Sequence, residues 1–530
     1  MKGSFRQSMS WLHTWAGLVL GWVLYFMFVT GSAGYFENEI DRWMQPEIPF
    51  SSTSVDQSQL LTLAQRRLDQ VATDAAEWYV NFPVDREPSL AIWWLSKIDP
   101  ETGEDGTWQN EVLSRLTGEP VSVRDTGGGR LLYRMHYRLH YMPTLVAYWL
   151  TSLCAMFMLV ALISGIVIHK KIFKDFFTFR PRKKQRSWLD MHNVLSVLPL
   201  PFHLMITYSG LILLMGASMP GIIGATYGMG DAGQQQFYDE IYSVPEGKSA
   251  SIGAKNIAMT SVLDDVRLRW GKDQIRSISI EKRGDVNASI EVTQKGFDGI
   301  GDSKELIYSG VSGELQSSRE VVGETNSAVQ FYEVMDYLHE GLFAGTMLRW
   351  LYFLSGLMGA AMIATGMLLW AVKRRQKAEK RGRDSRGLRF VEALNVGTIM
   401  GLPIGIAGYF WANRLIPADM SERADKEVLA LFVVWGLMLL YPALRKIQVS
   451  MRCIWLEMLW IGAAFYGLIP MLNMLTTDKH LVGSITQGDW VMAGFDLTVL
   501  AIGCAFAIVA IKMRRDKPVT ALNVTNEVLQ

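Results

Sequence analysis

The chain has 530 residues, of which 49% are hydrophobic and 19% charged, and its formal net charge is +1. It is too apolar for an ordinary soluble protein and too charged for a chain made only of membrane spans, so membrane helices joined to sizeable polar segments are expected. The near-neutral balance gives no basis for nucleic-acid binding. The three cysteines, Cys154, Cys453 and Cys504, all lie inside apolar runs and point to neither a disulfide framework nor a zinc site, and there is no Cys-x-x-Cys-His for covalent haem. Lys2 and Arg6 precede the first apolar run. Gly31-Ser32-Ala33-Gly34 offers the small residues of a signal-peptide cleavage site, but the length of the run argues for a retained span.

A membrane helix needs about 20 mostly apolar residues. Eight such runs are expected, near residues 13–35, 145–168, 190–216, 346–372, 391–413, 427–444, 453–474 and 489–511. Lys and Arg mark the cytoplasmic flanks. They crowd the link after the second span (Lys170, Lys171, Lys174, Arg180, Arg182, Lys183, Lys184, Arg186) and the link after the fourth (Lys373, Arg374, Arg375, Lys377, Lys380, Arg381, Arg383, Arg386, Arg389). They recur after the sixth span (Arg445, Lys446, Arg452) and the eighth (Lys512, Arg514, Arg515, Lys517). All these flanks fall on one side, so both termini are expected in the cytoplasm.

Two long segments are left on the other side. Residues 36–144 contain a helical run from Gln57 to Val71, a strand-like Leu90-Ala91-Ile92-Trp93-Trp94 and the turn Leu116-Thr117-Gly118-Glu119-Pro120. Residues 217–345 repeat the order. Val262 to Trp270 reads as helix, Ile275 to Ile280 and Ser289 to Val292 alternate as strands, and Val311-Ser312-Gly313-Glu314-Leu315 follows. The first four spans therefore read as a duplicated unit: helix out, small α+β domain, helix back. The last four spans break this pattern. They carry Pro403, Pro442 and Pro470 and hold no histidine in the bilayer, with His480 in an outer loop. Asn395 and Glu457 are isolated polar residues there, marking either a polar contact or an interface.

Four histidines open apolar runs that close on a Thr-Gly or Ser-Gly pair. His13, in Trp11-Leu12-His13-Thr14-Trp15-Ala16-Gly17, precedes Thr30-Gly31; His140 precedes Ser164-Gly165; His192 precedes Ser209-Gly210; His339 precedes Thr365-Gly366. The offset to the glycine is 18 residues for His13 and for His192, and 25 and 27 for His140 and His339. His13 and His192 open spans that start in the cytoplasm, and His140 and His339 open spans that start outside. Two pairs result, one near each face, suited to be the axial ligands of two haems that carry electrons across the bilayer. Eighteen residues are five helical turns, about 27 Å of axis, so His13 and Gly31 are expected on one helical face, as are His192 and Gly210, with each glycine leaving flat space beside the other haem. Ordinary helix packing is the alternative role for Gly31 and Gly210.

The other histidines are open to more than one reading. His169 ends the second span on the cytoplasmic side and is a substitute for His13 or His192, or an interfacial residue. His203, roughly 16 Å deeper than His192, is either a mid-membrane ligand or a hydrogen-bonding partner. His136, one turn before His140, is its substitute or sits at a substrate entrance. Arg349 is suited to a haem propionate or to interfacial snorkelling.

Leu12-His13-Thr14-Trp15-Ala16-Gly17, Arg138-Leu139-His140, Met191-His192-Asn193-Val194-Leu195, Leu338-His339-Glu340-Gly341 and the Thr/Ser-Gly span ends resemble the PepSY-associated transmembrane family of iron-regulated membrane proteins, which includes inner-membrane ferric-siderophore reductases. The likeness covers residues 1 to about 375. It implies two b-type haems held by the four span-opening histidines, PepSY-like outer domains, and a place in the inner membrane of a Gram-negative cell. It also implies that a cytoplasmic or membrane donor supplies electrons to ferric iron held by a siderophore or another chelate between the two outer domains, on the periplasmic side. The expected architecture is an α-helical integral membrane protein of about eight spans. Residues 1–35 form the first span, 36–144 and 217–345 the two PepSY-like domains, 145–216 the second and third spans with their basic loop, and 346–372 the fourth span. Residues 373–390 form a basic linker and 391–530 the last four spans and tail, whose role stays open. A non-redox regulator of a periplasmic protease and a repeat-built transporter are the rival readings.

Overall fold

A computed structural model describes residues 5–50, 55–84, 86–96, 106–169, 185–242, 250–295, 304–319, 327–382, 385–445 and 449–515. The basic run from Lys170 to Lys184, and Lys2, Arg383, Lys446 and Lys517, lie outside the described residues.

The chain opens on α1 (Phe5–Val19) and α2 (Gly21–Gly34), one apolar run bent by 63° at Leu20. A side chain on Gly21 would meet Met367 Sδ at 3.1 Å, so this corner is packed against a neighbour that only glycine admits closely. Then come α3 (Glu37–Met44), α4 (Gln57–Val71), β1 (Glu77–Asn81), β2 (Leu90–Leu95), β3 (Trp108–Leu113), α5 (Gly128–Arg138) and the long α6 (Thr144–Ile168).

The same plan returns. Helices α7 (Gln185–Val197) and α8 (Leu200–Leu213) are again bent, by 64°, at Leu198-Pro199. Here Pro199 and Pro201 remove two amide donors and turn the chain. Short helices α9 (Met215–Ser218), α10 (Pro220–Tyr227) and α11 (Asp231–Tyr242) follow. Next are α12 (Leu263–Trp270), β4 (Ile275–Glu281), β5 (Ser289–Gln294), β6 (Glu305–Ser309), β7 (Leu315–Arg319), α13 (Ser327–Glu340) and α14 (Thr346–Lys380). The packing is duplicated too: α1 lies on α6 as α7 lies on α14, and α2 lies on α5 as α8 lies on α13. Among the described residues six helical runs are long and apolar enough to cross a membrane, or eight if each bent pair is one span.

Residues 36–144 and 217–345 share one sheet. Strands β1 and β4 pair antiparallel, Trp78 opposite Ile280 and Val80 opposite Ile278, and the result is one seven-stranded sheet in the order β3-β2-β1-β4-β5-β6-β7. One core lies under it, drawing Leu61, Leu68, Val80 and Ile92 from the first segment and Val266, Ile278, Ile290 and Leu306 from the second. The crevice expected between two domains is therefore filled by the hydrogen bonds of the β1–β4 ladder. Edge-to-edge pairing of two half-sheets removes two exposed strand edges at once.

The remaining helices are α15 (Arg386–Ile399), α16 (Gly401–Leu415), α17 (Arg423–Arg445), α18 (Met451–Gly467), α19 (Ile469–Thr476), α20 (Leu481–Gln487) and α21 (Trp490–Arg515). They dock on α2 and α3. Trp22 Nε1 donates to Asn395 Oδ1 at 2.9 Å, which gives that isolated residue its partner. Trp43 is fully buried, stacked on Phe495 with ring centroids 4.3 Å apart, and donates to Asp496 Oδ1 at 3.0 Å. Glu457 accepts from Tyr441 at 2.7 Å and from Arg445 at 3.0 Å.

Candidate functional site

Histidines from different helices are brought together in two pairs. His13 on α1 meets His192 on α7 with ring centroids 6.3 Å apart. His136 on α5 meets His339 on α13 with centroids 6.1 Å apart. The second pair is the nearer to the sheet, sharing a cavity with Arg86 from the link between β1 and β2.

Each ring is seated on another helix, always at a Thr-Gly or Ser-Gly pair. His13 lies against Gly165, His192 against Gly366, His136 against Gly31 and His339 against Gly210. The carbonyl one turn before each glycine fixes the ring. His13 Nδ1 bonds Ala161 O at 2.9 Å, His192 Nδ1 bonds Met362 O at 3.0 Å and His136 Nδ1 bonds Met27 O at 2.7 Å. His339 Nδ1 bonds Ser209 Oγ at 2.9 Å, with the Ile206 carbonyl beside it. A carbonyl only accepts, so the proton is on Nδ1 for His13, His192 and His136, and Nε2 keeps its lone pair. The Thr and Ser hydroxyls are satisfied inside their own helices, as Thr30 Oγ1 donates to Phe26 O at 2.8 Å and Thr365 Oγ1 to Met362 O at 2.8 Å.

Each ring pair would offer two imidazole nitrogens, one from each of two helices, to a metal-containing group. Among the described residues no three or more His, Cys, Asp or Glu side chains gather to hold a metal ion. Two imidazoles alone leave a metal short of ligands unless a macrocycle supplies the rest, as it does for haem iron. The donor set and the seats therefore fit a haem.

The pair nearest the sheet opens into a cavity of about 530 Å³ lined by both rings, Gly31, Gly210, Tyr133, Arg86, Asp336 and Arg349. That is within the size range of small-molecule and cofactor sites. Removal from bulk water lowers the pKa of both imidazoles, that of His339 to about 3, with the His136 ring adding to the effect. Both are neutral, as ligation requires. Asp336 is pushed up to about 7, first by burial and then by Glu340 and Glu333. Arg349 donates to Ala344 O at 2.7 Å and to Glu39 Oε1 at 3.5 Å, and Arg86 pairs with Glu39 at 2.7 Å, so two guanidinium groups stand at the cavity wall.

The match to known proteins covers both histidine pairs. A family model described as the PepSY-associated TM region matches residues 10–373. The chain belongs to that family. It is also similar to the uncharacterized protein PA4219 of Pseudomonas aeruginosa, 22% identical over 369 residues that make up 67% of this chain and 87% of that one. The family region ends where the basic linker begins, so α15 to α21 lie beyond it.

Within this family fold, the expected pairing of His13 with His192 is the one the structure forms. The expected pairing of His140 with His339 is not. α5 ends at Arg138, and Leu139, His140 and Tyr141 all take positive φ angles (55°, 50° and 47°) in the turn to α6. That turn carries His140 away from the cavity and stacks it on Phe432, centroids 5.5 Å apart, while His136 takes the position facing His339. The role expected for Gly31 and Gly210 also changes. The bends mean that His13 and Gly31 do not share one straight helical face, and the space at each glycine is taken by an imidazole ring of another helix. His169 caps α6, with its Nε2 at 3.5 Å from Asn193 Nδ2. His203 is fully buried between the two pairs, its Nε2 donating to Ser355 O at 3.1 Å and its ring edge-on to Phe28. His480 caps α20. The residues that the sequence did not single out are Arg86, Tyr133 and Asp336, which come to the cavity from separate elements with no motif to join them.

Proposed function

We propose that this chain is a di-haem membrane reductase that passes electrons through the bilayer to ferric iron held by a siderophore or similar chelate. The observation that carries this reading is the two imidazole couples, each brought together from two helices with ring centroids 6.3 Å and 6.1 Å apart. His13 with His192 would hold one b-type haem and His136 with His339 the other. Haem bound there would supply a one-electron couple, tuned by its imidazole ligands and their burial.

The protein's own residues orient and shield. The Nδ1 hydrogen bonds to helix carbonyls fix each ring's rotation and raise its basicity. The glycine seats keep the rings from swinging aside. His13 and His192, farther from the sheet, are half-buried against α6 and α14. The pair nearer the sheet faces a cavity, which gives an electron acceptor its approach, and Arg86 and Arg349 in its wall are both paired with Glu39. Siderophores offer hard oxygen ligands, and Fe(II) holds them less tightly than Fe(III), so reduction releases the iron.

Lys373, Arg374, Arg375, Lys377, Lys380 and Arg381 continue α14 on the side away from the sheet, which supports a cytoplasmic location for that side and a periplasmic one for the sheet. Both termini then lie in the cytoplasm of a Gram-negative cell and the chain sits in the inner membrane. His13 and His192 would hold the haem nearer a cytoplasmic or membrane electron donor. The test is spectroscopic. Protein purified from haem-replete cells should show a Soret band that shifts on dithionite, and the reduced form should be reoxidised by a ferric chelate. A colourless preparation would return the protease-regulator and transporter readings to the front.

A further inference from the structure

The helix that carries His136 is held at its far end by residues that lie outside the family region. Arg124, Asp125, Thr126 and Gly127 lead into α5, which opens on Gly128 and Gly129. No side chain fits on any of these three glycines. A Cβ on Gly127 would stand 2.7 Å from Tyr409 Oη, one on Gly128 1.8 Å from Asp41 Oδ1, and one on Gly129 2.3 Å from Glu37 O. Gly128 also takes a φ of +58°.

Polar groups close the same point. Tyr409 Oη donates to Gly128 O at 3.0 Å. Glu427 accepts from Thr126 Oγ1 and, at 3.4 Å, from the Gly127 amide, while Asp41 accepts from the Gly129 amide at 2.7 Å. Two carboxylates thus face the positive end of the α5 dipole. Asn413 Nδ2 holds Glu427 Oε1 at 2.7 Å, and Arg423 bonds both Glu427 and the Asp125 carbonyl, the latter at 2.8 Å. Tyr409, Asn413, Arg423 and Glu427 are all fully buried. A buried, fully engaged network of this kind costs a great deal to disturb, which makes it a rigid anchor.

From Gly128 to His136 is eight residues of helix, about 12 Å. A helix transmits an axial shift along its length. At its other end His136 has no slack, because its ring is seated on Gly31 and its Nδ1 is 2.7 Å from Met27 O.

We propose that the C-terminal helical unit positions one ligand of the outer couple: Tyr409 and Glu427, backed by Asn413 and Arg423, clamp the N-terminus of α5 and thereby set where the His136 ring stands. This rests on the haem reading above. It gives α16 and α17 a task that neither a donor site nor general bundle stability supplies. These are positioning residues, acting through α5.

The test uses the full chain in detergent or nanodiscs. Tyr409→Phe removes one hydrogen bond and little volume, and Thr126→Val loosens the same joint from the other side. Amide exchange in α5 should become about fivefold faster, as loss of one such bond implies. The absorption and low-temperature EPR signals of the His136–His339 site should shift, or its haem occupancy fall, while those of the His13–His192 site stay as in the wild type. Thr126→Ser should restore both. Equal changes at both sites, or faster exchange in α5 with an unaltered outer signal, or no change in either measurement, would overturn the clamp while leaving the haem reading intact. A wild-type chain without haem would remove the haem reading itself, and the clamp with it.

Discussion

Gly31 lies so close to His136 that a methyl group on it would stand 2.5 Å from Nδ1. At the other three seats the nearest ring atom is Cε1, at 2.9 Å for Gly210 and His339, 3.3 Å for Gly366 and His192, and 3.5 Å for Gly165 and His13. Alanine substitutions should therefore be graded. Gly31→Ala and Gly210→Ala push the ring out of its seat and should each cost the outer haem, since overpacking of about 1–3 kcal/mol corresponds to roughly five- to 150-fold in affinity. Gly165→Ala meets only ordinary van der Waals contact and should keep both haems. Haem stoichiometry on the four variants checks the order, and an intact outer haem in Gly31→Ala would contradict it.

Ser209 Oγ is the side-chain partner of His339 Nδ1, at 2.9 Å. Such partners of a ligand's second nitrogen contribute about 10- to 100-fold in metal affinity. Ser209→Ala should weaken the outer haem by that order and move its reduction potential, with the inner site unaffected. Ser209→Thr should keep most of the affinity. A competition assay with an apo-haem protein measures this directly.

The sheet is expected to fold as one unit. Ile278 in β4 is fully buried opposite Val80 in β1. Ile278→Ala should cost about 2–5 kcal/mol. Because the core is shared, the loss should appear as faster amide exchange in β2 as well as in β5, although β2 is about 190 residues away in sequence. Exchange confined to β4 and β5 would instead describe two independent domains.

Asp336 gives a pH dependence whose sign is fixed. Burial, with Glu340 and Glu333 near it, raises its carboxyl from 3.8 to about 7. The group stabilises the fold fully below its unfolded value of 3.8, and that contribution is lost progressively as pH rises to and through about 7. Wild-type thermal stability should fall across this window relative to Asp336→Asn, which carries no titrating group there. A constant difference between the two proteins would refute the assignment.

The duplicated plan was legible in the sequence because hydrophobic length and basic flanks are local properties. The pairing of His13 with His192 was legible for the same reason. His136 was not, because spacing is neutral on it: His136 stands 29 residues before Gly165 and His140 stands 25, while His339 stands 27 before Gly366. What decides is the end of α5 at Arg138 and the three left-handed residues after it, which no apolar period reveals. The seats at the Thr-Gly and Ser-Gly pairs were marked in sequence as a pattern, but their task depends on which helices cross. The joining of β1 to β4 is likewise a long-range pairing that neither segment encodes alone.

The haem content of three proteins tests the central claim most directly: wild type, His136→Ala and His140→Ala. Two haems per chain are expected in the wild type, one in His136→Ala with the inner signal retained, and two in His140→Ala. A wild type without haem, or loss of a haem with His140→Ala but not with His136→Ala, would contradict it.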